Sequence, residues 1–117
     1  MFLEKLEHAV RDVGGQAAVL MGFDGIPVET YTNEATVDIE TMGMEFSVLL
    51  KDVRRAAESL EAGEAEELTV KTDRISTVMR IVNRQYFLAL SVPAGGNLGK
   101  ARYRLRLLAP ALAGELA

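Results

Sequence analysis

Ala94-Gly95-Gly96-Asn97-Leu98-Gly99-Lys100-Ala101 is the stretch of this chain that most invites a chemical reading, because it is glycine-rich and ends in Gly-Lys at a helix start. A GxxxxGK[ST] loop cradles phosphates with backbone N–H groups and uses its closing hydroxyl to hold magnesium. Here residue 94, where the first glycine must stand, is Ala, and residue 101, where the hydroxyl must stand, is also Ala. The segment therefore reads as a tight strand-to-helix connection. His8 is the only histidine and stands among polar residues, so it reads as a surface side chain rather than a metal ligand or a general base. Glu64, Glu66 and Glu67 cluster in a connection and read as a solvated turn, not as a paired acid and base. Arg54 and Arg55 carry the charge that an arginine finger brings to a phosphoryl group. Their place within a long helical pattern makes them surface or interface charges. No constellation supports catalysis by this chain alone, and no cofactor or metal is implied.

The 117 residues fit one domain, 1–117, and 49% hydrophobic with 26% charged residues is the balance of an ordinary globular protein. With no cysteine, disulfides, thiolate chemistry and cysteine-based zinc sites are excluded. The N-terminus, MFLEKLEHAVRDVGG, interrupts its apolar residues with charges, unlike a signal peptide, and no run approaches the roughly 18 apolar residues of a membrane span. A soluble, unexported, cytoplasmic protein is expected. The formal net charge of −4 argues against general nucleic-acid binding. It is unevenly spread: residues 1–67 carry 15 acids and 5 bases, a net of −10, and residues 68–117 carry 2 acids and 8 bases, a net of +6. Such polarity can orient a partner or a second copy, or folding can interleave the two sets.

These residues must be positioned by elements that the pattern lays out in order. Phe2, Leu3, Leu6, Ala9, Val10 and Val13 recur at helical spacing, and Gly14-Gly15 stops that helix. The run 17–21 predicts a strand buried on both faces. Asp24-Gly25 supplies a tight turn, and Ile26 to Tyr31 predicts a second strand whose Pro27 favours a sheet edge. Asp38 is a plausible N-cap for a helix running to about Glu61, with Gly63 just beyond. On it Met42, Phe46, Leu49, Leu50, Val53, Ala57 and Leu60 are expected to face the core. Three strands follow, Glu67 to Lys71, Ile75 to Val82 and Tyr86 to Val92, as an antiparallel meander with the last central and the first at an edge. Asn97 caps a final helix on which Leu98, Ala101, Leu105, Leu108 and Leu112 repeat at threes and fours, and Pro110 is expected to end or kink it near Ala109.

Two surfaces of this layout look outward. At about 100° per residue, Met44, Val48, Lys51, Arg55 and Glu58 project away from the expected core, so two apolar side chains stand where solvent should be. Leu68, Thr69, Val70 and Lys71 alternate along an edge strand that can pair with a copy of itself.

The order αββαβββα, the hairpin AAVLMGFDGIPVETY, the strand ELTVKT, the run YFLALSV and the closing GGNLGKARYRLRLL resemble the Roadblock (dynein light chain-like) family across almost the whole chain, in particular its bacterial, MglB-like members. Asp24-Gly25 stands at the family's hairpin turn, and Asn97-Leu98-Gly99 where its last helix begins. The resemblance implies an α+β sandwich of the Roadblock/profilin-like kind: a five-stranded antiparallel sheet with one long helix on one face and the two terminal helices on the other. It implies a homodimer in which the long helices pair and the third strands join into one sheet. It implies as partner a Ras-like small GTPase similar to MglA, whose GTP hydrolysis an MglB-like dimer promotes without donating a catalytic residue. On that reading Met44, Val48, Lys51 and Arg55 meet the dimer mate or the GTPase, and Leu68 to Lys71 meet the dimer mate. Ending at Ala117, the chain is expected to be without the long C-terminal extension of some MglB-like proteins. Two other classes stand beside this one: a dimeric scaffold that tethers larger proteins without regard to nucleotide state, and a sensor of a small ligand, for which the core offers few orienting polar groups.

Overall fold

The computed structural model describes residues 1–116. In chain order it has α1 (Phe2–Val13), β1 (Ala17–Gly22), β2 (Pro27–Thr32), α2 (Ile39–Ser59), β3 (Glu67–Lys71), β4 (Ile75–Ile81), β5 (Tyr86–Pro93) and α3 (Leu98–Glu115). The strands form one antiparallel sheet in the order β2-β1-β5-β4-β3, so the fold is the expected α+β sandwich with αββαβββα order.

Local chemistry sets the boundaries. Gly14 takes the left-handed conformation, φ 66°, that only a residue without Cβ adopts cheaply, and it closes α1. Gly25, φ 86°, does the same in the β1–β2 turn, where the Asp24 carboxylate accepts from the Ile26 N–H at 3.0 Å. Asp38 caps α2 by accepting from the Thr41 N–H at 3.1 Å and from its hydroxyl at 2.8 Å. Those bonds hold the Asp38 carboxyl below the ordinary aspartate range, the hydroxyl contributing most. Asn97 caps α3 by accepting from the Lys100 N–H at 2.9 Å.

Alternation along the strands divides the core into two layers. Ala18 and Leu20 of β1, Leu88, Leu90 and Val92 of β5 and Val78 of β4 face α1 and α3, which bury Leu6, Val10, Leu105, Leu108 and Leu112 against them. Val19, Met21, Phe87, Ala89 and Met79 face α2, which buries Ile39 and Leu50. As expected, β1 is buried on both faces, β5 is central, and β2 and β3 are the edges.

The structure corrects two points in the expectations for the helices. The buried line of α2 is Ile39, Gly43, Ser47 and Leu50, whereas Leu49 and Leu60 of the expected core arc are 44% and 77% exposed. The helix is rotated toward its small residues because it sits close on β1: a Cβ added to Gly43 would lie 3.0 Å from the Met21 Sδ and Cε and 3.3 Å from the Val19 Cγ1. Ser47 is tolerated there because its hydroxyl donates back to the Met44 carbonyl at 2.7 Å. Pro110 does not end α3 at Ala109; the helix runs on to Glu115. Pro110 is on the solvent side, where water can satisfy the carbonyl that a proline leaves without a donor, while Leu108, Ala109 and Leu112 hold the inner side in the core. On α1, Leu3 is 43% exposed rather than part of the core.

Candidate partner interface

On α2 three lines of side chains run along the helix. The inner one is buried. The outer one holds Met44 and Val48, 53% and 54% exposed, followed by Lys51 and Arg55, so the four residues expected there do stand together. Arg55 is held by Asp52 at 2.8 Å, an exposed ion pair within the helix. Met44 reaches toward the β1–β2 turn, its Cγ lying 3.8 Å from where a Gly25 Cβ would be.

The third line is the flank formed by Met42, Phe46, Leu49, Val53 and Leu60, apolar and only half covered. α2 lies chiefly over β1, β2 and β5. On the same side of the sheet Leu68 and Val70 of β3 and Ile81 of β4 are half-buried and continue this apolar surface. β3 pairs only with β4, so its outer edge presents unpaired backbone groups. Sequence reasoning placed Leu68 to Lys71 at an edge and assigned this line of α2 to the core, where Phe46 does pack, whereas Leu49 and Leu60 are exposed.

Charges pin the rim of the surface. Glu67 is not a solvated turn residue: on β3, half-buried, it accepts from Arg80 Nη1 at 3.2 Å and from Arg102 Nε at 2.8 Å, tying the edge strand to α3. Arg54 is tied down as well, its guanidinium 4.3 Å from the Phe23 ring centroid and donating to the Arg84 carbonyl at 3.2 Å. The acidic first part of the chain and its basic last part are interleaved by five of the eight ion pairs among the described residues, including Arg104 with Asp12 and Lys5 with Glu115. Between the end of α2 and β4 runs an open groove of about 790 Å³ lined by charges of both signs, among them Glu58, Glu61, Glu64, Arg80 and Arg84. His8 is exposed on α1. None of the described helices is long and apolar enough to cross a membrane.

Comparison with known proteins places this geometry. No family model and no curated protein matches the chain. Among solved structures it is similar to MglC from Myxococcus xanthus, with 42% identity over 96% of each chain and a TM-score of 0.67. It is also similar to MglB of Myxococcus xanthus, with 14% identity, coverage of 97% of this chain and 92% of that one, and a TM-score of 0.85. A Roadblock/LC7 domain from Streptomyces avermitilis shares 17% identity over 97% of this chain and 95% of its own, at a TM-score of 0.85. Identity and overlay thus order these proteins differently, MglC sharing most residues and the other two the closer framework. With a sequence likeness to MglC that spans nearly the whole of both chains, and a sheet-and-helix framework shared with MglB and the Roadblock/LC7 domain, the chain belongs to the Roadblock family as an MglB-like member.

Proposed function

We propose that the chain works as a homodimer that holds and regulates a Ras-like small GTPase of the MglA-like kind, without donating a catalytic residue. The observation that carries this reading is the unfinished α2 face. Five strands about 4.8 Å apart make a sheet roughly 20 Å wide, and packed helices lie about 10 Å apart, so covering a face takes two helices. α1 and α3 cover one face, whereas α2 stands alone on the other beside an open edge strand. A second copy turned about a two-fold axis supplies the missing helix and lets β3 pair with its mate. Leu49, Leu60 and the β3 residues Leu68, Thr69, Val70 and Lys71 then make the dimer contact. Met44, Val48, Lys51 and Arg55 of both copies line up outward as a two-helix platform of apolar and charged side chains. A GTPase on that platform is regulated through its own switch loops, the dimer binding one of their arrangements better than the other.

The test is binding of the purified protein to Ras-like GTPases encoded near its gene, each loaded with GDP or with a non-hydrolysable GTP analogue, with the mass of every complex recorded. Preference for the GTP form in a complex of two chains to one GTPase supports regulation. A stable dimer that binds neither form supports the second reading, a tethering module with no nucleotide-state preference. That reading needs only the dimer, and at 42% identity with MglC against 14% with MglB the chain does not inherit what MglB does by likeness alone.

A further inference from the structure

A helix that lies on a sheet needs one apolar stripe, and the side turned to water is expected to be charged. α3 has two. Ala101, Leu105, Leu108, Ala109 and Leu112 face the core, and on the opposite side Tyr103 and Leu107, one turn apart, are 52% and 51% exposed. Pro110, Ala111 and Gly114, all exposed, extend that outer line by two further turns. No acidic residue occurs anywhere from Leu98 to Gly114.

The cations of α3 divide in the same way. Arg102 and Arg104 are spent within the molecule, on Glu67 and Asp12. Among the described residues Lys100 and Arg106 have no acidic partner, and the Arg106 guanidinium stands 5.2 Å from the Tyr103 ring centroid, at the border of the outer line. The result is an apolar line along the outer face of α3 with two unpartnered cations, Lys100 and Arg106, beside it. Pro110 adds a polar feature to the same side, since it has no N–H to donate to the Arg106 carbonyl.

We propose that this outer face of α3 docks an acidic amphipathic helix of a partner protein. Apolar side chains of that helix at three- and four-residue spacing would lie along Tyr103, Leu107 and Ala111, and its acids would take charge-assisted hydrogen bonds from Lys100 and Arg106. A membrane surface fits less well, because two unpaired cations on a chain of net charge −4 are too few to hold it to anionic lipid. The sheet separates this face from α2, while β3 lies at the sheet edge that Arg102 ties to α3 through Glu67. Docking here therefore leaves the α2 surface free for a GTPase, and a dimer offers the site twice.

A photo-crosslinking amino acid in place of Tyr103, in the full chain expressed in its own cells, tests this, with the same group at exposed Asp73 as control. The expected result is an adduct whose crosslinked segment is an acidic amphipathic helix, and whose yield falls about tenfold when Lys100→Glu and Arg106→Glu are combined. Both residues are exposed, so the fold, checked by circular dichroism, should be unchanged. The proposal is overturned by an adduct to a second copy of this chain, to lipid or to a segment of other character. It is equally overturned by a yield no higher than at Asp73, or by one that survives the charge reversal.

Discussion

The two faces of the sheet share the same strands yet are finished in opposite ways. Toward α1 and α3 the apolar side chains of β1, β4 and β5 are closed over, and Leu6, Val10, Leu105 and Leu112 are fully buried. Toward α2 only Ile39 and Leu50 of the helix are buried large side chains, and the flank from Met42 to Leu60 stays half open beside the edge strand. The first face is complete within one chain. The second has the right residues for a core and too few elements to close it, which is the surface that the proposed second copy would cover.

This contrast gives its own tests. The largest expected effect is on the closed face: Leu105→Ala should cost about 3 kcal/mol in urea unfolding, the loss typical of a fully buried leucine. It should leave the association of the folded molecules unchanged. Leu49→Asp should do the reverse, weakening dimerisation about 100-fold by sedimentation while the far-ultraviolet spectrum stays native, since this side chain is 44% exposed in one copy. If Leu49→Asp unfolds the chain instead, the flank is core and the contrast fails. Gly43→Leu should cost about 2 kcal/mol, because Met21 and Val19 leave no room for the added side chain and α2 must lift from β1. A neutral result would mean that the helix does not sit that close.

The smallest effect concerns the cap of α2. Because the Asp38 carboxyl titrates below its ordinary value, its contribution to stability is full at neutral pH. It declines as pH falls toward about 3.9, the ordinary value for Asp, and is gone below the lowered folded value. Acid unfolding of Asp38→Asn, which keeps an acceptor at the cap but no titrating group, should lack this component.

Much of this architecture is legible in the residues themselves. Gly14, Asp24-Gly25, Asp38 and Asn97 are local signals, each acting through one or two hydrogen bonds or one backbone conformation, and all four do in the structure what their chemistry says. The outward positions of Met44, Val48, Lys51 and Arg55 also follow from helical periodicity alone. What periodicity misjudged is the rotation of α2, because the close approach of Gly43 to β1 is a tertiary fact that a count of large apolar residues cannot weigh. The same blind spot placed the exposed Leu49 and Leu60 inside the expected core. Glu67 was misjudged for a related reason: its cations Arg80 and Arg102 are distant in sequence and meet it only across the sheet edge. At Pro110 a rule about helix interiors gave way to the packing of the inner side of α3.

The central claim, that a second copy completes the α2 face, is tested most directly by amide hydrogen exchange followed as a function of protein concentration, with the mass measured in parallel. The account predicts a dimer in which the amides of β3 are protected about as well as those of β4, and in which that protection and the protection of α2 fall together on dilution to the monomer. A protein that is monomeric by mass at high concentration, with β3 exchanging freely, would contradict it.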